Sequence, residues 1–591
     1  MRFYQLLPAI ALLGFSEASE PLHPKEKPNI LFVILDDLDY HMTDLSGVMP
    51  SVKKHIIDQG TTFPNHYCQV SLCCPARASI LTDQTAHNHN VTDVHYPSGG
   101  YQKVYEQNFN EDYLPVWLQE AGYGTYYVGK LLNDISTQNY NDPCLNGWDR
   151  IEVLLDPFAY DFWSPAFARN KDPWQRYMNN YTTDLVSLKS MGFLEDALAD
   201  DKPFFLGVAP IAPHSEVLVN TTSLTATFSA PKPATRHIGK HAGAQVPRTD
   251  NFNPDKPSGA SWIKTLDQLN STEVQQGDEW YQARLESLLA VDEMVDSLFA
   301  KLEESGKLDN TYVIFTSDNG FHIGQHRLSP GKTCGYEEDI NVPFIVRGPG
   351  IAKGHTMDVV SGHIDIAPTI LEMTGISQRD TFDGSPIPLN EDALKALTKP
   401  KTEHTSIEMW RSNNQSFFRT GKIEMMEEAT QKTYKPVRLI SGDHNLYYSV
   451  WCTNEHELYD MKASLHLQSD SQQMNNLFEG GFGGSYESAD IVRLAHRLDA
   501  LLYVLKSCRG DSCRYPWESL MPLETVTNLS DAMNPKYDEF FETVPKVSFS
   551  SCQQDHIIEA EGPQFETWTV EGSKTTRGME RGWDHVQAWI T

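Results

Sequence analysis

Six consecutive apolar residues follow Asn29, in the run NILFVIL, and the run stops abruptly at Asp36-Asp37. A continuous apolar stretch of strand length with β-branched members predicts a strand buried on both faces, the mark of a parallel sheet, with two carboxylates at its C-terminal end. The same pattern recurs three times. Residues 204–208 run into Ala-Pro-Ile-Ala-Pro-His214, residues 312–316 into Ser317-Asp318-Asn319-Gly320, and residues 342–346 into Arg347-Gly-Pro-Gly. Leu285, Leu288, Leu289, Val295, Leu298, Phe299 and Leu302 mark one face of a helix, with Gly306 as its stop. Another helix begins at His363-Ile-Asp-Ile-Ala-Pro. Alternating helices and buried strands predict an α/β fold whose large domain is a mixed, mostly parallel sheet flanked by helices. Ligands of such sheets gather beyond the carboxyl ends of the strands.

The pattern changes after residues 381–402, a stretch with Asp-Gly and several prolines that reads as the edge of the large domain. Residues 437–440 and 446–450 are short strands around Gly442-Asp443, which predicts a hairpin. Ile491, Leu494, Leu498, Leu501, Leu502 and Leu505 share one helical face. A smaller C-terminal α+β domain follows, an antiparallel sheet covered by a helix, while Gln468 to Ala489 reads as a loop and nothing periodic stands out after about residue 520. The expected division is a leader at 1–18, the large domain at 19–395, the smaller one at 396–520 and an extension at 521–591.

Charge and composition narrow the partners. The 591 residues carry a formal charge of −31, which excludes nucleic acid as a natural ligand and requires a local cluster of cations for any anionic substrate. Met1-Arg2, the apolar run from Leu6 to Phe15 and the small residues Ser16, Ala18 and Ser19 form a secretory signal, with no second apolar run long enough to span a membrane. Asn-x-Ser/Thr acceptors at Asn90, Asn180, Asn220, Asn270, Asn414 and Asn528 agree with a secreted glycoprotein.

The candidate chemistry centres on Cys73-Cys74-Pro75-Ala76-Arg77-Ala78-Ser79-Ile80-Leu81-Thr82. Two adjacent cysteines in an oxidising compartment suggest disulfides. The flanking chain suggests otherwise. Asp36, Asp37, Asp318 and Asn319 offer only oxygen ligands at two strand ends, a donor set for Ca²⁺ or Mg²⁺ rather than Zn²⁺. These residues, with Gly129-Lys130, Pro213-His214, Ser317 to Leu328, Lys332, Tyr336-Glu337-Glu338, Arg347-Gly-Pro-Gly, Asp365-Ile-Ala-Pro-Thr, Asp383-Gly384 and Glu457-Leu-Tyr-Asp460, occur in the order found in formylglycine-dependent sulfatases. The chain resembles that family over about residues 28–515. The Cys-Cys-Pro opening, His87-Asn-His-Asn90 and the late Cys508-x4-Cys513 resemble fungal-type arylsulfatases and N-acetylglucosamine-6-sulfatases most.

The resemblance implies an alkaline-phosphatase-like fold and hydrolysis of sulfate monoesters of a small substrate. Cys73 would be oxidised to formylglycine (3-oxoalanine) by a formylglycine-generating enzyme during secretion, to a secreted or lysosome/vacuole-like destination. One Ca²⁺ would be held by Asp36, Asp37, Asp318, Asn319 and the modified Cys73. Arg77 would hold the aldehyde hydrate, Lys130 and Lys332 would bind sulfate, and His214 with Lys332 would protonate the leaving oxygen. One hydroxyl of the hydrate attacks sulfur and the other then expels sulfate. Removing Cys73 from nine cysteines leaves eight, enough for pairs, with Cys508 and Cys513 able to close a small loop.

Leu132 stands where many sulfatases have His, so the base for sulfate release is open, with His87 and His89 as candidates. Ala76 and Asp83 replace the usual Ser and Gly near the region the modifying enzyme reads. The expected activity is that of an arylsulfatase, with an N-acetylglucosamine-6-sulfatase acting on sulfated glycans as its alternative, and two functions outside sulfate hydrolysis also stay in view. One is a phosphoester hydrolase of the same superfamily, which expects a Ser or Thr nucleophile and His-rich zinc ligation. The other is a glycoprotein without turnover if Cys73 stays a thiol.

Overall fold

The computed structural model describes residues 26–220, 225–410, 416–419, 422–425, 432–442, 444–462, 469–486 and 488–565. The expected leader, the sequon at Asn414, Asp443 of the hairpin and the chain beyond 565 lie outside them.

A ten-stranded mixed sheet forms the large layer. Its centre is five parallel strands, in spatial order β5 (Thr311–Ser317), β1 (Asn29–Leu35), β4 (Phe204–Ala209), β2 (Gly124–Gly129) and β3 (Arg150–Leu154). β6 (Phe344–Arg347) joins β5 antiparallel. Every residue of β1 is buried, and its side chains alternate between two cores. Ile30, Phe32 and Ile34 pack on the face shared with α1 (Cys73–Thr82) and α4 (Ile366–Thr374). Leu31, Val33 and Leu35 pack against α2 (Thr182–Ala199) and α3 (Ser271–Glu304). This double burial is why the run carries no polar alternation.

The helix expected around Leu285 begins earlier, at a capping box in which Asn270 accepts from the Thr272 and Glu273 amides and Glu273 reaches back to the Asn270 amide. The smaller sheet is antiparallel, in order β7 (His404–Ser406), β8 (Tyr434–Ser441), β9 (His444–Trp451) and β10 (His456–Asp460), covered by α5 (Ala489–Leu505). The hairpin turns at Gly442, whose φ of 55° favours glycine. From 521 to 565 the chain lacks a period because it packs as short pieces: Val526, Leu529, Ala532, Phe541, Val544 and Val547 are buried in the same core as α5. No described helix is long and apolar enough to cross a membrane.

Candidate active site

The parallel register assembles the site. Leu35 pairs with Ser317, so Asp36 and Asp318, the next residue of each strand, emerge side by side. Gly129 pairs with Ala209 across the β2–β4 ladder and delivers Lys130 to the same edge. A side chain on Gly129 would lie 2.0 Å from the Ala209 carbonyl oxygen, so only glycine permits this approach. His214 follows β4, and Cys73 opens α1 with Arg77 one turn on, so five separate segments converge.

Their polar atoms interlock. The Cys73 thiol donates to Asp36 Oδ1 at 3.4 Å, and Lys332 Nζ donates to Cys73 Sγ at 2.7 Å and also to Asp37. Lys130 Nζ donates to Asp36 Oδ2 at 2.6 Å. Arg77 Nε donates to Asp318 Oδ2 at 2.7 Å and its Nη1 to the Lys130 carbonyl, while Nη2 is buried without a partner. Asp318 Oδ1 accepts from the Asp37 amide at 3.1 Å, and Asn319 Nδ2 donates to Asp37 Oδ1 at 2.7 Å. His214 Nε2 stands 3.7 Å from Asp37 Oδ2. Donor atoms of Asp36, Asp37, Cys73 and His214 lie within 4.8 Å of one another.

The electrostatics are nearly balanced. Burial opposes ionisation of Asp36, but Lys130 and His214 outweigh it and hold the carboxyl at about 2. Asp37 is lowered too, against burial, by Lys332 and His214. Lys130 and Lys332 are held above their ordinary range by the carboxylates despite their own burial. Burial pushes the Cys73 thiol up to about 12 and the His214 imidazole down. Asp36, Asp37 and Asp318 therefore face Arg77, Lys130 and Lys332, three carboxylates against three cations, around a neutral thiol, with the His214 imidazole beside Asp37. A neutral thiol is a poor nucleophile, so Cys73 as it stands cannot carry a displacement at neutral pH.

Residues 28–376 match the family model described as Sulfatase. The chain belongs to the sulfatase family. This sulfatase is similar to an arylsulfatase of Volvox carteri, 34% identical over 579 residues that span 93% of this chain and 86% of that one. Sulfatase ppz1 of Metarhizium majus (strain ARSEF 297) is 41% identical over 413 residues, 70% of this chain and 86% of that one. In fold the sulfatase is similar to a solved complex with D-glucosamine-2-N,6-O-disulfate, with a TM-score of 0.60, 24% identity and coverage of 81% of this chain and 97% of that one. The protein is a sulfuric ester hydrolase.

All nine residues singled out from the sequence converge at this edge of the sheet. Arg77 turns to Asp318 and the Lys130 carbonyl, and both Asp318 oxygens are engaged, with Arg77 and with the amides of Asp37 and Asn319. The two candidate bases have no free nitrogen. His87 bonds Glu408 through Nδ1 at 2.8 Å and the Cys508 carbonyl through Nε2 at 2.8 Å, so it is a buried cation. His89 accepts from the Val91 amide through Nδ1 and bonds Ser79 Oγ through Nε2 at 3.0 Å, bracing α1. Leu132 is buried in the apolar core.

Disulfides join Cys508 to Cys513 and Cys452 to Cys552. Cys68, Cys74, Cys144 and Cys334 are free, so four of the eight remaining cysteines pair; Cys68, Cys74 and Cys334 are fully buried and pack as small apolar groups.

Two groups escaped the sequence. Arg284 of α3 donates through Nη2 to the Asp37 carbonyl at 2.6 Å and Asp39 Oδ1 at 3.0 Å, and through Nη1 to the Pro213 carbonyl at 3.3 Å, tying two of the site's strand ends together. It falls on the apolar stripe with Leu285 and Leu288, and a charge in that stripe was the signal. Tyr160, in the loop between Leu154 and Ala166, has no motif. Nearby, Asp339 accepts from His322 Nδ1 at 2.8 Å and the Cys334 amide at 2.8 Å, bracing the segment that carries Lys332.

The donor set suits a hard divalent cation. Three carboxylates and the Asn319 amide offer oxygen, and the Asn319 amide is oriented by donating its Nδ2 to Asp37 and the Gly320 carbonyl, which leaves Oδ1 toward Lys332 at 3.5 Å. A divalent charge added to this balanced cluster would leave it at about +2, favourable to an anionic ester.

Proposed function

We propose that this secreted sulfatase is an arylsulfatase whose Cys73 works as formylglycine beside one Ca²⁺. The observation that carries the reading is the position of Cys73, at the start of α1, within hydrogen-bonding distance of Asp36 and Lys332 at the carboxyl edge of the sheet. Asp36, Asp37, Asp318 and Asn319 would hold the ion, which, with the hydrated aldehyde at position 73, supplies charge neutralisation and an acidic hydroxyl nucleophile. Lys130 and Lys332 bind sulfate oxygens and balance charge that develops as the ester bond breaks. Lys332 is placed to act on the nucleophile as well, through its contact with position 73. Arg77 fixes Asp318 and the Lys130 carbonyl, so that carboxylate and the backbone carrying Lys130 keep their orientation. As an imidazolium, with Nδ1–H committed to the Ser215 carbonyl at 2.7 Å, His214 gives its Nε2 proton to the leaving oxygen.

A formylglycine-generating enzyme is the partner this reading requires, and the Volvox carteri relative, an arylsulfatase, supports the aryl specificity. The oxygen-rich donor set and a cysteine at the nucleophile position disfavour a two-zinc phosphoesterase. Produced in a host with the modifying machinery, the protein is expected to show a position-73 peptide lighter by about 18 Da than its cysteine form. It should release phenol from phenyl sulfate and lose that activity on chelation, with Ca²⁺ restoring it. Full conversion of Cys73 without turnover of any aryl sulfate would overturn the reading.

A further inference from the structure

Tyr160 spans the two groups that frame the nucleophile. Its ring is stacked on the His214 imidazole, with centroids 4.3 Å apart and planes 26° from parallel, and Lys130 Nζ lies 5.0 Å from the ring centroid. The phenol oxygen accepts from Asn133 Nδ2 at 2.8 Å. The loop is stiff where it carries this ring. Asp161 accepts from the amides of Trp163 at 3.0 Å and Ser164 at 2.8 Å and pairs with Arg176 at 3.2 Å, and the Tyr160 carbonyl accepts from the Val217 amide at 3.3 Å.

His214 needs such support. Among the described residues the imidazole makes one hydrogen bond, from Nδ1–H to the carbonyl of the adjacent Ser215, which leaves Nε2 as the nitrogen that gives up the proton of the charged ring and moves with the same backbone. It sets which nitrogen is free, and the stacked ring sets where that nitrogen points. The chain just past Lys130 serves the same end, since Leu132 is buried in the core while Asn133 clamps the phenol.

We infer that Tyr160, clamped by Asn133, is a positioning residue that holds His214 Nε2 on the leaving oxygen of the ester. The inference rests on the reading of His214 as the acid. When the sulfur–oxygen bond breaks, its electron pair stays with the leaving oxygen, which takes the Nε2 proton of the His214 imidazolium and departs as a neutral phenol or alcohol, leaving the neutral Nδ1–H imidazole behind. An acidic phenol departs well without that proton; a weakly acidic one does not. The site is thus fitted to esters of weakly acidic hydroxyls.

A series of aryl sulfates from 4-nitrophenyl through phenyl to 4-methoxyphenyl reads the effect as the slope of log kcat/KM against the phenol pKa. Tyr160→Leu should lose about 10²-fold on the 4-methoxyphenyl ester and only a few-fold on the 4-nitrophenyl ester, steepening the slope, as expected when a proton donor is misplaced by about an ångström. Tyr160→Phe keeps the ring but loses its hydrogen bond to Asn133, and should steepen the slope only partway. Asn133→Leu, which loosens the clamp and leaves the ring in place, should steepen it partway and serves if Tyr160→Leu does not fold.

Each variant is compared at equal formylglycine content, measured by peptide mass. Equal losses across the series for Tyr160→Leu, or for Asn133→Leu in its stead, would overturn the inference. His214→Ala separates the two ideas. A slope left unchanged by His214→Ala removes His214 as the acid. A slope steepened by His214→Ala but not by the Tyr160 and Asn133 variants removes Tyr160 alone.

Discussion

Lys332 reaches three residues of the site, with contacts to Cys73, Asp37 and Asn319. Replacing it with Met should lower kcat/KM for an aryl sulfate about 10²–10³-fold, the effect of removing one preorganised charge from a developing anion. Steady-state kinetics at matched formylglycine content checks this, and a loss below threefold would take Lys332 out of the chemistry. The acidic pairs and Lys332 were legible because each follows a buried strand or lies in a motif with a fixed order. Tyr160 and Arg284 were not. A lone tyrosine in a loop carries no period, and the reach of an arginine from mid-helix to the Asp37 and Pro213 carbonyls depends on how α3 crosses the sheet. The partners of Arg77 were also beyond the sequence, since spacing puts Arg77 and Cys73 on one helical face but does not say which carboxylate turns toward it.

Among elements, α5 shows how a good amphipathic pattern can hide a titrating group. Its leucines predicted the helix and its buried face. Asp499 on the same helix is fully buried, accepting from Tyr448 Oη at 2.9 Å and the Val547 amide at 3.1 Å. Burial raises its carboxyl from 3.8 to about 7. The folded state therefore binds this proton more tightly than the unfolded chain, and the stability it contributes is present below about pH 3.8 and lost as pH rises through about 7. Asp499→Asn lacks that component. Its melting temperature relative to wild type should move in the variant's favour between pH 5 and pH 8, and a difference that stays constant with pH would contradict the assignment. The strands of the large sheet were legible for the opposite reason, since both faces of β1 are apolar and no competing pattern interrupts it.

Across the whole molecule, a buried ionic network ties the two sheets together. Glu408 pairs with His87, just past α1, and with Lys435 of β8 at 2.7 Å, and Glu561 lies 3.5 Å from Lys435. Removing the central charge by Glu408→Gln would leave the His87 cation without a carboxylate and Lys435 with Glu561 alone, at a cost of about 3–5 kcal/mol. Calorimetry should show a lower melting temperature in one transition, and an unchanged one would mean that the network is not needed for stability. The chain order of this network, residues 87, 408, 435 and 561, could not be foreseen, because no local pattern links positions so far apart. The burial of Cys73, 2% exposed beneath Lys332, sets an order of events on the reading proposed above. An enzyme can reach that side chain only before α1 docks on the sheet, so maturation is a race between modification and folding. A molecule that folds first keeps its thiol sealed for as long as it stays folded, and the active fraction of a preparation records how fast the chain was captured in the secretory pathway, whatever the stability of the finished fold.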